Sequence, residues 1–520
     1  MTKKKSSIIV YMVLVSAVLL AKVLGLVRGI VFSAVYGTGI EANAFTAVSN
    51  LPLTLFDVTF GTAITSAFVP VFNEKLSKEG SVSANKFACN FFNIIITFSI
   101  IIVALGILFP KIAVMIVASG FNGKAETMQI AVSLIKYIIP VISFACCTFI
   151  FIGILQSYGE FIAPALVSLL SNVAMIVYLL FFNDSMGIEG LGLAFSIGWF
   201  LQFIFLIPFL IKKKFKYTFC FDVKSPDIRK VALLTLPLFV AALAQPINQL
   251  ISSNFSSLVS ENGVATVNYA YTAYLIVAGV FSYALTNMFF PEMSRRFAVN
   301  DVEGATGICK DMLSSITAII MPIMSFFIAC SHPIINILYE RGEFTPQDTI
   351  NVSALLAIYS VGMIFLSWQD IFNKYFYSMQ KSYIPMITAF VGIGVNILLS
   401  FTLTKYIGLL GLAVATVSAG IVMTVILSIF AVKATKSIFV KPFIFELSKI
   451  VLSGFVSFAV SKLLLSFFDF NVSLMLKIIY VVVIFVASLV IYIFLLLLFR
   501  SSNLAKIKNL IKKGGKTDNV

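Results

Sequence analysis

Two cations lie inside a stretch that is otherwise fit for a bilayer. In AKVLGLVRGIVFSAVYG, residues 21–37, Lys22 and Arg28 interrupt an apolar run that begins near residue 8. A cation at the centre of a membrane helix costs about 2.5–3.5 kcal/mol, so intramembrane charge usually faces a bundle interior or a water-filled cavity. Six positions place the two about 120° apart on a helix, and Gly25 and Gly29 offer a place to bend. An ammonium and a guanidinium brought to one cavity would neutralise an anion, and phosphate groups are their natural match. The plainer alternative is snorkelling, which Arg28, near the outer end of the span, achieves more easily than Lys22.

Other intramembrane polar residues add weaker signals. Asp57 is a candidate counter-ion for Lys22 or Arg28, and Lys136 lies in a later span. Asp370 and Lys374, four apart, have the spacing of an ordinary intrahelical pair, with Lys374 also a candidate ligand group. AQPINQLISSN, residues 244–254, sets Gln245, Asn248 and Gln249 around Pro246, which removes a backbone hydrogen bond. Interrupted helices at membrane depth are tolerated where they line a cavity. The single histidine, His332, falls in an expected loop, and the six cysteines form no CxxC pair. Metal, triad and disulfide chemistry are therefore not expected. No G-x-x-x-x-G-K-[ST] loop offers ATP hydrolysis. The reading is a non-enzyme with no cofactor.

The elements that must carry these residues are membrane helices. The chain has 520 residues, 60% hydrophobic and 11% charged, where a soluble protein carries about 25% charged. Mean hydropathy is +1.04. Apolar runs of about 20 residues mark fourteen spans, near 8–34, 43–70, 87–109, 128–155, 161–183, 188–211, 229–258, 265–291, 308–330, 349–379, 383–404, 409–432, 444–468 and 474–499. The start, MTKKKSSIIV, reads as the first of them, uncleaved. With that end cytoplasmic, about 26 lysines and arginines fall inside, against Lys111, Lys124, Arg341 and Lys405 outside. Both termini are then cytoplasmic. The net charge of +15 belongs to these loops, so nucleic acid is not an expected partner.

An internal repeat organises the spans. AFVPVFNEKL and MFFPEMSRRF place Pro70 and Pro291 221 residues apart, and EFIAPALV and KSYIPMIT do the same for Pro164 and Pro385. GIEGLGLA and GLLGLAVA match at the same offset, through Gly187 and Gly408 and through Gly190 and Gly411. Six spans per repeat leave both halves in one orientation, as in parallel repeats about the membrane normal. The expected architecture is all-α: an N-terminal lobe over 1–220, a C-terminal lobe over 221–436, two further helices over 437–500 and a basic tail over 501–520. Two matched lobes around a cavity predict alternating-access transport.

The stretch from Ala21 to Glu74 resembles the opening of the MurJ/MviN family of bacterial lipid II flippases. It matches that family's S-R-V-L-G-F-x-R-D start and its A-F-V-P-x-x-x-E segment. ILYERGEFTPQDT, residues 337–349, is similar to the family's L-F-x-R-G-x-F-x-x-x-D-T, and YFYSMQKSYIPM and MFFPEMSRR also fit. The resemblance covers essentially the whole chain. It implies movement of lipid-linked peptidoglycan precursor from the inner to the outer leaflet of the bacterial cytoplasmic membrane. It places Lys22 and Arg28 at two cavity arginine positions, and the last two helices as a groove for the polyprenyl tail.

Departures from the pattern are specific. The family's second-helix arginine falls on Phe56 and its eighth-helix arginine near Thr272. Its loop aspartate falls on Asn43, beside Glu41, and its second-helix acidic residue near Gly61, one turn from Asp57. Lys22 keeps charge but loses bidentate geometry. The expected substrate site is Lys22, Arg28, Asn43, Asp57, Gln245, Asn248 and Lys374. The expected partners are lipid II or another polyprenyl-pyrophosphate glycolipid, membrane lipids, and a coupling cation or the membrane potential, acting on a monomer. The rivals are a cation-coupled multidrug exporter, which would need more carboxylates, and a membrane scaffold or lipid-modifying enzyme.

Overall fold

The computed structural model describes residues 2–54, 61, 67–233, 244–435 and 438–502, and in it the protein is all-helical. The side chains of residues 2–15, 18–19, 244–245, 277, 279–285 and 287–288 lie outside that description. Among the described residues, ten helical segments are long and apolar enough to cross a membrane, and no strand occurs. The expected spans near 8–34, 43–70, 229–258 and 265–291 each include residues or side chains outside the described set. The chain packs as two units, one of residues 1–265 with 341–344, the other of 266–340 with 345–520.

The first unit holds α1 (Thr2–Tyr36), α2 (Ile40–Pro52), α3 (Val69–Leu108), α4 (Pro110–Val117) and a 3-10 turn, Ser119–Gly123. After these come α5 (Ala125–Ile138), α6 (Val141–Ser157), α7 (Ile162–Phe181), α8 (Asn183–Lys212) and α9 (Ala244–Val259). Gly80, at φ 84, divides α3 into a charged first part and an apolar spanning part. Pro140 separates α5 from α6 because it cannot donate to the helical ladder. α1 packs along α7, and α7 along α8. Loops sort to two ends. At one end Lys230 pairs with Glu74, and Lys75 reaches Asp227 at 3.0 Å. At the other, Tyr36 donates to Asn183 and Lys124 to the Ser257 carbonyl at 3.0 Å. α9 joins this unit because Asn254 accepts from Ser119 N–H at 2.8 Å and donates to the Ile116 carbonyl at 2.7 Å.

The second unit holds most of α10 (Gly263–Ala298), then α11 (Val302–Ala329), α12 (Ser331–Tyr339), α13 (Pro346–Ser378), α14 (Tyr383–Ile407), α15 (Leu409–Thr435), α16 (Lys441–Leu465) and α17 (Leu474–Leu498). His332, expected in a loop, sits in the first turn of α12, which Pro333 helps to start. α13 begins with a capping box in which Thr345 and Asp348 satisfy each other's backbone N–H groups. α16 and α17 dock on α11. Ser453, Ser457 and Ser461 form a buried small-residue seam, Ser325 donates to the Gly454 carbonyl at 2.9 Å, and the Tyr492 hydroxyl donates to the Ala318 carbonyl at 3.0 Å. The outer faces of both helices stay apolar and exposed, with Phe455 65% and Phe494 61% accessible, as lipid contact requires.

The repeat is visible in the backbone. Gly187 (φ 54, ψ −143) and Gly408 (φ 57, ψ −136), 221 residues apart, make the same left-handed turn before α8's apolar part and before α15. Gly159 (φ 74) and Gln380 (φ 58) match at the same offset. The hydrogen bonds around them match too, Glu160 N–H to the Leu155 carbonyl and Lys381 N–H to the Phe376 carbonyl, both 2.9 Å. Each repeat also seats a glycine of one loop on the first helix of the other repeat. A Cβ at Gly120 would lie 2.3 Å from the Ser257 carbonyl on α9, and one at Gly342 would lie 2.0 Å from the Ala34 carbonyl on α1. Glu343 N–H donates to that same Ala34 oxygen at 2.9 Å.

Candidate functional site

The geometry starts where α1 crosses α7. Arg28 is half-buried, and its Nη1 approaches the Met175 sulfur at 3.7 Å. A thioether is a weak acceptor, so among the described residues a guanidinium with five N–H donors is left almost wholly unsatisfied. Among the described residues no carboxylate lies within ion-pairing distance of Arg28 or of Lys22. Lys22 is exposed, one and two-thirds turns earlier on the same helix. Between them, the α1 face at Gly25 looks onto Asn172 of α7, whose Oδ1 would lie 3.9 Å from a Cβ at that glycine.

Asn172 is a residue that the sequence reading passed over. Its Nδ2 donates to the Ser168 carbonyl at 2.9 Å, which fixes the amide's orientation and points Oδ1 away. That oxygen is buried and has no hydrogen-bond partner. An orphaned buried acceptor costs about 1–3 kcal/mol, and native proteins rarely keep one without a use. The sequence carried a faint signal, a lone asparagine within SLLSNVAMIVYLLF. Two unpaired cations and one unpaired acceptor thus lie along a single helix pair, and such a set suits an anion that also bears a hydroxyl or amide donor.

The remaining expected site residues are placed as follows. Asn43 is fully buried and occupied at both ends of its amide, donating to the Glu261 carbonyl and accepting from Ala265 N–H at 3.0 Å. It ties the start of α2 to the turn before α10. Asn248 is half-buried on α9, next to Gln249, whose Nε2 donates to Asn50 Oδ1 at 3.5 Å. Pro246 occupies the first described turn of α9, while residues 234–243, on which the expected helix interruption depends, lie outside the described residues, as does the Gln245 side chain. Asp57 and Phe56 also lie outside the described residues. Lys374 belongs to the second unit, where its ammonium sits 4.9 Å from the centroid of the Phe290 ring, a cation–π distance. Thr272 is exposed on α10.

The comparisons with known proteins agree with one another. The family model described as Lipid II flippase MurJ matches residues 32–495. The probable lipid II flippase MurJ of Rickettsia prowazekii is 27% identical over 400 residues, covering 76% of this chain and 78% of that protein. Its counterpart from Rhizobium meliloti is 25% identical over 418 residues, with 79% and 78% covered. A solved structure of lipid II flippase MurJ in an inward closed conformation superposes with a TM-score of 0.80 at 26% identity, over 92% of this chain and 98% of that one. An inward-facing multidrug resistance MATE family transporter of the MOP superfamily superposes at 0.61 and 16% identity, which shows a shared fold. With a family match that spans nearly the whole chain, this polytopic membrane protein belongs to the lipid II flippase MurJ family.

Proposed function

We propose that the chain carries lipid II from the inner to the outer leaflet of a bacterial cytoplasmic membrane, by alternating access. The observation that carries the reading is Arg28, a half-buried guanidinium whose described neighbour is a thioether, on a chain of this family. The pyrophosphate of the headgroup would supply the missing acceptors to Arg28 and Lys22. A hydroxyl or amide N–H of the attached sugar would satisfy Asn172 Oδ1. Lys374, Asn248, Gln245 and Asp57 are secondary candidates for the headgroup, and Asn43 would act by holding α2 in place. The basic end, with Glu74, Lys75 and Lys230, would be cytoplasmic together with both termini. Outward opening would require the seats of Gly120 and Gly342 to separate from α9 and α1. The membrane potential or an ion gradient would drive the cycle, and the protein would act as a monomer.

The test is complementation of a bacterium depleted of its lipid II flippase, scored beside surface expression. Rescue by the wild type, with loss on Arg28→Ala at equal expression, supports the reading. A well-inserted wild type that fails to rescue points instead to another polyprenyl-linked glycan. An Arg28→Ala variant that rescues at the wild-type rate removes Arg28 from the site.

A further inference from the structure

Between Lys212 and Ser225 the chain leaves the helices, turns at 213–214 and again at 223–224, and runs without regular secondary structure between them. What holds it is a row of buried polar side chains on α3. Asn90 accepts from Asp222 N–H at 2.6 Å and donates back to the Asp222 carbonyl at 2.8 Å. Asn93 donates to the Cys220 carbonyl at 2.9 Å and accepts from the Tyr217 hydroxyl at 2.7 Å. Cys89 accepts from Thr218 N–H at 3.4 Å. Asn90, Asn93 and Cys89 are themselves 4% exposed or less. The segment is therefore clamped against α3 in one register.

Most of the large side chains left outside are apolar or aromatic, beside exposed Thr218 and Asp222. Phe219 is 79% exposed, Phe221 49% and Val223 56%, with Tyr217 at 57%. Lysines flank these side chains, at Lys212, Lys214 and Lys216 before them and Lys224 after them. Among the described residues none of these four pairs with a carboxylate. An exposed apolar patch beside unpaired ammonium groups suits the boundary between headgroups and acyl chains. Deeper placement is excluded, because the backbone groups of the strap that α3 does not meet need water or headgroups. Asp222, whose Oδ1 accepts from the Lys224 N–H at 2.9 Å, offsets one of the four positive charges, and the remaining excess selects an anionic headgroup over a zwitterionic one.

We propose that residues 215–224 form an interfacial strap that binds anionic phospholipid of the surrounding bilayer. Phe219, Phe221 and Val223 enter the leaflet while Lys212, Lys214, Lys216 and Lys224 take the phosphates. The site is separate from the α1–α7 cations and does not depend on which glycolipid is carried.

The full-length chain with Phe219→Trp, reconstituted in liposomes, reports directly, its emission read as the difference from the wild type. The expected result is several-fold stronger quenching by brominated phosphatidylglycerol than by brominated phosphatidylcholine at equal mole fraction. Replacing the four lysines by glutamine should equalise the two lipids. Raising the salt from about 50 to about 500 mM on the unsubstituted lysines should move the ratio in the same direction, which guards against a folding defect in the variant. Equal quenching with the lysines present would overturn headgroup recognition, and no quenching by either lipid would place the strap against water or protein. Displacement of brominated phosphatidylglycerol by a small mole fraction of polyprenyl pyrophosphate would assign the site to the cargo instead, and would also overturn the proposal.

Discussion

The two sequence repeats agree in their turns and part company in their polar interiors. At an offset of 221 residues, Gly159 answers to Gln380 and Gly187 to Gly408, with backbone angles that nearly coincide. At the same offset Arg28 answers to Gln249, and Lys374 to Gly153. Gln249 has a side-chain partner in Asn50, whereas among the described residues Arg28 meets a thioether. The turns are fixed by sterics that any cargo leaves unchanged. Cations that serve a ligand, as proposed for Arg28, would be free to differ between repeats. The asymmetry of charge is therefore the better guide to function, and the symmetry of turns the better guide to fold.

The largest effects should come from the seats of Gly120 and Gly342. Gly342→Ala would drive a Cβ into the Ala34 carbonyl and also strain a left-handed residue, at φ 58. Overpacking costs about 1–3 kcal/mol and the conformation about 1 more. Gly120→Ala meets a comparable clash at Ser257 but carries no conformational cost. Both should lower the thermal midpoint of the purified protein, Gly342→Ala further. Equal melting of both variants and the wild type would mean that the loops give way freely.

Next comes the charge itself. Arg28→Gln installs what the second repeat holds at the matching position, and should cut lipid II flipping in proteoliposomes by about 10- to 100-fold, the worth of a charge-assisted hydrogen bond. Gln249→Ala should stay within about twofold. Similar losses from both would erase the distinction between the repeats. Asn172→Leu sharpens it further. Removing an orphaned acceptor should leave the thermal midpoint unchanged or raise it while flipping falls several-fold. A fall in both would make Asn172 structural.

Smaller effects test the matched turns. Gly159 has open space around a notional Cβ, so Gly159→Gln should cost about 1 kcal/mol from backbone strain alone, and Gln380→Gly should recover up to a similar amount. Thermal midpoints moving in the same direction would break the equivalence.

The smallest effect is electrostatic. Hydrogen bonds from Lys230 and Lys78 hold the Glu74 carboxyl low, at about 2, and the Gly304 N–H and Arg296 hold Asp301 low in the second repeat. A depressed carboxylate stabilises the fold above its unfolded value, near 4.3, and that stabilisation fades as pH falls toward about 2. Glu74→Gln should flatten the acid limb of a stability–pH curve slightly, and added salt should do the same, because the pairs are exposed.

Much of this was legible in the chain. Fourteen apolar runs, the loop charges and the 221-residue offset predict an all-helical, repeated membrane protein, since hydrocarbon admits only backbones that satisfy themselves within a helix or a closed barrel. Lys22 and Arg28 stood out because charge in an apolar run is costly wherever it lies. Tertiary structure alone decided which polar residues are spent and which are free. Asn43, matched to an acidic family position, is buried with its amide occupied, while Asn172, unremarked among leucines, keeps a bare oxygen. It also decided that Asn90 and Asn93 clamp the strap, leaving Phe219 outside. Composition and period report what a residue costs to bury. Whether a polar atom is satisfied depends on neighbours distant in sequence, and those are set only when the helices pack.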